Sequence, residues 1–561
     1  MTTTTWTADS GDWNTASNWS GGVPGAAGDA LFAQLPRYDT VTGGGGAASL
    51  SVTGTTAAAP QVTFAGTHAV GTLVVEGATV VLSGLSALTF QSATVESVAY
   101  AGTVSVSGTA VAVSGNTPGL LELAFPGDML GTGTITLAGG ELDAPAGVLA
   151  NPVVLGVSPF VQVATQFDPS AALPDVIDGF GTLSGVITGA AALQLGGGDG
   201  PSSGVTSYVL DNAATFLPGG LRFSAERVSL AGGMTVGAVL AGSGTLALGA
   251  GVSVGAVTAA TTGATTIVAA EQGLTVFAGV GLLDLRNGSG RSTVIGAVAQ
   301  GQTSPVQEAQ TEFGTMSVSG GTGALTVYGG NSGGVVYGGT AGGNVVVAGA
   351  DGSPYAQVVG GRVGYVGERG APLFLQATTI VGGGAGDLLV ATGTLGNVVA
   401  AAGGNETLTG AGASGSNVFF GGSGADVIVA GGGQDLVVAG AGAETITGGS
   451  GSAGLGGTAV FAGAGSDVIL GGAGAGYVQV GSGSAVLFAG AGAELLGVVA
   501  GQAGGSLVVS GFRAGVDHVA ARGYAGAPAV ASAGGNTVLG FSDHTQVTLL
   551  GVASLPGSAF V

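Results

Sequence analysis

Cysteine and lysine are both missing from this chain. Without cysteine, neither a disulfide nor a thiolate metal site can form. That absence proves no compartment, but it suits an exported protein that must avoid accidental disulfides. Without lysine, the nine basic residues are all arginine, set against 31 acids for a net charge of −22. Nucleic-acid binding needs a cationic face, and none can be assembled here. Adsorption to anionic lipid is disfavoured for the same reason. An acidic chain with so few cations is suited to taking up divalent metal; a plain solubility charge is the alternative.

Long apolar runs are also missing. Mean hydropathy is +0.59, yet glycine or polar residues interrupt every apolar stretch well short of the roughly 18 residues needed to span a bilayer. No membrane insertion is expected. The opening MTTTTWTADSGDW has no basic or apolar region of the kind a Sec signal requires. Catalytic signatures are scarce too. There are three histidines, His68, His518 and His544, and no HExxH, GxSxG or P-loop. Lyases and epimerases built on β-helices need basic residues and acids clustered in a groove, which is hard to build without lysine. The neighbours Asp517–His518 and Asp543–His544 diverge along a strand, so solvated surface positions are expected. The chain reads as no enzyme.

What is abundant is glycine, 119 of 561 residues. Glycine costs about 1 kcal/mol per helix position, which argues against helix bundles. No Gly-X-Y period is present, so collagen is excluded. Short Val, Leu and Ile runs recur between the glycines, unlike a flexible linker. The expectation is an all-β chain.

The clearest stretch is 421–447, which reads GGSGADVIV, AGGGQDLVV, AGAGAETIT. These are three nine-residue blocks with an acid sixth in each, namely Asp426, Asp435 and Glu444. Small residues make a tight turn, and the three residues after the acid have strand character. In VIV the central Ile428 should point inward and its neighbours outward. Turn plus strand, repeated, winds into a parallel solenoid in which two blocks make one coil. Residues 18 apart then stack, so Asp426 and Glu444 share one edge and Asn417 and Asp435 the other. A carboxylate meeting backbone carbonyls of the next coil makes an oxygen-only cage suited to Ca²⁺.

The blocks resemble the GGxGxDxUx nonapeptide of RTX proteins, the hemolysin-type calcium-binding repeat of the parallel β-roll. The resemblance implies bound Ca²⁺, roughly two to four ions. Asp387, Asn417, Asp426, Asp435, Glu444 and Asp467 are the metal-ligand candidates. The register begins near 320 without acids, in GGTGALTVY and GGNSGGVVY, and continues through Asn344. After an irregular insertion at 348–375, the sixth slot runs Asp387, Asn397, Glu406, Asn417, Asp426, Asp435, Glu444. A break follows, and then the slot returns as Asp467, Gly476, Ala485 and Glu494. Where the acid lapses, turn and strand must hold the coil alone.

Four segments follow. Residues 1–35 carry Trp6, Trp13 and Trp19 and resemble a Trp-containing N-terminal module of large bacterial surface proteins. A cap sealing the first coil is expected, with carbohydrate stacking as the alternative and Thr2–Thr5 as a frayed end. Residues 36–317 form an irregular β-helix or a stacked β-sandwich, with one helix candidate at 304–313 and a hairpin at NGSG between Arg286 and Arg291. Residues 318–510 are the RTX-like β-roll. Residues 511–561 end in two strands joined by a polar turn, and resemble the C-terminal region of RTX proteins exported by type I secretion.

The expected protein is therefore a secreted, extracellular or bacterial cell-surface structural subunit, S-layer-like or fibre-forming. It would self-assemble as a homo-oligomer or polymer and use calcium as reinforcement, with cell-surface polysaccharide as a further partner. The alternative is an RTX adhesin contacting glycan or a host surface through Trp6, Trp13 and Trp19 or the 348–375 insertion.

Overall fold

The structure is a computed structural model of the chain. It describes residues 2–561 except 34–37, 54–60, 77–78, 83–86, 96–97, 100–102, 123–133, 144–146, 157–174, 197–204, 260–262, 280, 297–314, 330–332, 348–356, 360–361, 367–371, 375–377, 394–395, 412 and 451–456. The helix expected at 304–313 lies outside the described residues. The chain divides into two compact units, 1–260 with 264–269, and 261–263 with 270–561.

In the first unit the strands stack in parallel. Thr3–Thr5 pairs with Asp29–Ala33, which pairs with Gly45–Thr53, followed by Thr67–Glu76 and Ala87–Val95. The threonine run expected to fray is therefore a paired strand of the first coil. A second parallel sheet joins Gly11–Asp12, Tyr38–Thr42, Gln61–Ala65 and Thr79–Leu82. Further along, each coil contributes three strands, exemplified by Thr182–Leu183, Ile187–Gly189 and Leu193–Leu195. Thr235–Ala241 then pairs with both Phe216–Leu217 and Leu221–Phe223, merging two faces into one. The partner spacing varies from coil to coil, 18 residues for Ile135↔Val153, 34 for Val153↔Ile187, 28 for Thr188↔Phe216 and 18 for Thr235↔Ser253. Parallel pairing between successive coils rules out the stacked antiparallel sandwich for the described part of 36–317. A β-solenoid with coils of unequal length takes its place.

The three tryptophans are buried at the start of this unit. Trp6 stacks on Phe32 at 5.3 Å, Trp19 meets Trp6 and Trp13 edge-on at 4.9 and 4.8 Å, and the Trp19 Nε1–H donates to the Trp13 carbonyl at 2.7 Å. A Cβ on Gly45 would overlap the Trp13 ring, so only glycine lets that indole lie flat on the chain. His68 closes the cluster against Trp13 and Phe64, and burial lowers its pKa to about 4. Indoles packed this way leave no face for sugar stacking, which removes the carbohydrate alternative for these residues.

The second unit has two strands per coil. Leu388–Val390, Thr407–Thr409, Val427–Val429, Thr445–Thr447 and Ser466–Leu470 stack on one face. Val398–Ala400, Val418–Phe420, Leu436–Val438, Ala459–Phe461 and Gly476–Gln479 stack on the other. The central residue of each three-residue strand points inward. Leu389, Leu408, Ile428 and Ile446 form one buried ladder, and Val399, Phe419, Val437 and Val460 the other. Each such side chain contributes roughly 1.5–3 kcal/mol of burial. Val427, beside Ile428, is 41% exposed, as the alternation demands.

Two local expectations change. The NGSG segment is no hairpin: Leu282–Arg286 and Ser292–Ile295 pair with strands of different sheets, and Asn287 is a buried corner residue bonded to the Gly290 carbonyl. Asp517, expected at the surface beside His518, is buried. Within the insertion, Gln357–Val359, Arg362–Val366 and Pro372–Phe374 form their own antiparallel sheet. At the C-terminus, Asn536–Gly540 and Gln546–Leu549 are the two strands expected around the polar turn. Ala529–Ala533 adds a third antiparallel strand, and Gln546–Leu549 runs parallel to Ser506–Ser510.

Candidate cation-binding turns

The sixth-slot residues form two ladders, and one rule describes both. Each slot aspartate accepts a backbone N–H from the residue four before it, closing its own turn. It also accepts the N–H of the slot residue one coil earlier. Asp426 takes Gly422 N–H at 2.8 Å and Glu406 N–H at 2.9 Å. Asp467 takes Gly463 N–H at 3.1 Å and Glu444 N–H at 3.3 Å. Asp387 takes Gly383 N–H and Asn344 N–H, both at 2.8 Å. On the other edge, Asn417 Oδ1 takes Asn397 N–H at 3.0 Å, and Asp435 takes Asn417 N–H at 2.7 Å. Gly431 N–H closes the Asp435 turn. All six sequence-derived candidates, Asp387, Asn417, Asp426, Asp435, Glu444 and Asp467, are buried in these ladders.

The acid type decides how well this works. Aspartate satisfies both donors with two oxygens on a short arm. Glutamate is a methylene longer. Glu406 and Glu444 close their own turns through one oxygen, and the second, Oε2, is buried with no hydrogen-bond partner. Burial raises Glu406 to about 7 and Glu444 to about 8, and the adjoining Asp426 and Asp467 add to the shift. The carboxyl neighbours are thus Glu406 with Asp426 and Glu444 with Asp467. Asp426 and Glu444, expected to share an ion, do lie on one edge with their strands paired. Glu494 is also raised, chiefly by burial. Its Oε2 would overlap a Cβ placed on Gly476. The glycine in that slot makes room for the longer acid of the next coil.

This is an anionic site without a matching cation. From 376 to 510 the charged residues are Asp387, Glu406, Asp426, Asp435, Glu444, Asp467 and Glu494, and every one is buried. Burying like charges in contact is costly unless a proton or a cation neutralises them. The donor set is oxygen only, which fits a hard divalent ion such as Ca²⁺. Among the described residues no three Asp, Glu, His or Cys side chains converge on one point. An ion held here would draw on a carboxyl pair at most, with turn carbonyls and water completing its six to eight ligands.

Asp517 belongs to the same ladder. It accepts Glu494 N–H at 2.9 Å and Arg513 N–H at 2.6 Å. The sequence carries its signal in RAGVDHVA, an acid after a small-residue turn and before a strand; arginine in the place of a turn glycine hides it. Glu406 and Glu494 are legible from the register alone.

A family model for the RTX calcium-binding nonapeptide repeat matches in four copies, at 400–437, 411–446, 420–455 and 452–487. No curated protein matches the chain. Repeats of this family bind Ca²⁺, and the matched residues are those that carry the unpaired glutamate oxygens.

Proposed function

As a chain that carries four RTX calcium-binding nonapeptide repeats, this is an RTX-type protein, and we propose that it is a secreted structural subunit that assembles with copies of itself outside the cell. One observation carries the reading. Every charged side chain between 376 and 510 is turned into the coil, so the outer faces of these coils bear no charge. They present rows of Val, Thr, Leu and Phe, with Val427, Val468, Leu470 and Phe488 exposed. In a chain of net charge −22, such faces are where two copies meet with least repulsion. Uncharged sheet surfaces with exposed apolar side chains favour lateral association.

Calcium enters as reinforcement. Glu406 with Asp426, and Glu444 with Asp467, are the pairs best suited to hold it, alongside Asp387, Asn417 and Asp435. Bound Ca²⁺ neutralises the buried carboxylates; the chain itself supplies the hydrogen-bonded turns that align them. Millimolar Ca²⁺ outside a cell saturates weak sites, whereas low Ca²⁺ inside leaves the pairs without the ion. Export by a type I route through the C-terminal region fits that contrast. No catalytic role is assigned.

Electron microscopy of the purified protein tests the assembly. Layers or filaments in Ca²⁺ that disperse in EDTA are expected; a monodisperse monomer in both conditions overturns the reading. An adhesin is the second reading. With the tryptophans buried it rests on the 348–375 insertion, and a glycan array probed with an insertion-deleted variant separates the two.

A further inference from the structure

The last acid-bearing coil differs from the others in one residue. Asp517 repeats the ladder contacts of Asp426 and Asp467, but the residue four before it is Arg513, where those two have Gly422 and Gly463. The guanidinium turns back into the site. Its Nε and Nη2 donate to the two oxygens of Asp517 at 3.3 and 3.0 Å. Its Nη1 donates to the Ala491 carbonyl at 2.9 Å, and Nη2 also donates to the Gly492 carbonyl. Ala491 and Gly492 belong to the turn of the coil before, the one that carries Glu494. One cation therefore bridges a fully buried carboxylate to two turn carbonyls of the adjacent coil. Those are the same two kinds of oxygen that the earlier turns offer a metal ion.

The equivalence extends along the chain. Counted from the slot residue, Ala491 and Gly492 correspond to Gly403 and Gly404 before Asp426, and to Ala441 and Gly442 before Asp467. No arginine or lysine lies between 376 and 512 to do the same for those pairs. A planar guanidinium suits the place, since its fork meets a carboxylate and carbonyls together and it stays charged at any physiological pH.

We propose that Arg513 is a resident cation standing where a divalent ion would sit, so that the terminal coil keeps its structure when metal is withdrawn. Position 513 then decides what the coil takes: arginine makes it metal-independent, and glycine would make it a further metal site. The inference rests on the reading that divalent ions neutralise the earlier turns.

Hydrogen exchange read by mass spectrometry on the full-length protein tests it. In excess EDTA, peptides spanning 400–470 should lose protection while those spanning 484–522 keep it. In Arg513→Gly, the 484–522 peptides should exchange about tenfold faster or more in EDTA, recover in millimolar Ca²⁺, and the protein should bind one more Ca²⁺ per chain by elemental analysis. Adding Asp517→Asn to that variant should restore protection without metal, because Asn417 shows an amide filling the slot uncharged. Loss of 484–522 protection in wild type under EDTA overturns the proposal. So does an Arg513→Gly protein that fails to recover in Ca²⁺, since the arginine would then be packing support only. If 400–470 ignores EDTA, the calcium reading of those turns falls. The Arg513→Gly comparison still decides the terminal coil.

Discussion

The backbone N–H of Glu444 donates to Oδ1 of Asp467 at 3.3 Å across 23 residues of chain, although the coil before it needs only 18, as from Asn417 to Asp435. The ladder keeps its register where the nine-residue spacing breaks. The slot is therefore held by the hydrogen bonds that the side chain makes, and the spacing follows from them.

Asp467→Ala should destabilise the protein strongly, because it leaves the Glu444 and Gly463 N–H groups buried without a partner. At about 1–3 kcal/mol for each, the cost should be roughly 2–6 kcal/mol in EDTA. Asp435→Asn should cost less, since an amide oxygen can still accept the Asn417 N–H as Asn417 does for Asn397 and only the Gly431 N–H loses its acceptor, while Ca²⁺ binding should still weaken. Urea unfolding of both variants, with and without Ca²⁺, checks the contrast. Equal losses for the two would refute the ladder account.

The raised glutamates predict the pH response of the metal-free protein. A carboxyl raised by folding holds its proton more tightly in the folded state. Its contribution is full below the ordinary glutamate value of about 4.3 and is lost as pH rises through about 7 for Glu406 and about 8 for Glu444. In EDTA, stability should therefore fall between pH 5 and pH 9. Glu444→Gln should flatten that slope and stabilise the protein at pH 8.5. Thermal unfolding across this range measures it, and a rise in stability with pH would contradict the assignment.

Calcium should oppose that trend. Binding releases the protons of Glu406 and Glu444, so affinity should increase from pH 6 to pH 8.5. Titration calorimetry in buffers of different ionisation enthalpy would count the released protons. Affinity independent of pH would mean that the ions bind elsewhere.

Charge placed on the outer face should separate folding from assembly. Val427→Lys with Val468→Lys leaves both inward ladders untouched, so circular dichroism and melting should change little. Ordered assemblies in Ca²⁺ should be lost. Unchanged assemblies would show that this face takes no part.

Removing a capping indole should act as a core cavity. Trp19→Ala deletes a ring packed on Trp6, Trp13 and Phe32 and should cost about 3–5 kcal/mol. Glycan binding, if the protein has any, should not change.

The nonapeptide stretch was legible because its information is local. In GGSGADVIV the small residues specify the turn, the alternation sends Ile428 inward and Val427 outward, and the acid falls at a constant step. Sequence by itself thus determined an all-β solenoid for the nonapeptide region, with two ladders of slot residues and every acid in them but Asp517. Tertiary structure alone decided what those residues touch. An acid expected to meet backbone carbonyls of the next coil is buried and instead accepts N–H groups of the neighbouring coil. That contact spans 18 residues from Asn417 to Asp435 and 23 from Glu444 to Asp467, so no fixed local spacing announces it. The same holds for Arg513. In FRAGVD it is one basic residue beside a turn, and only the stacking of coil on coil brings its guanidinium between Asp517 and the carbonyls of Ala491 and Gly492.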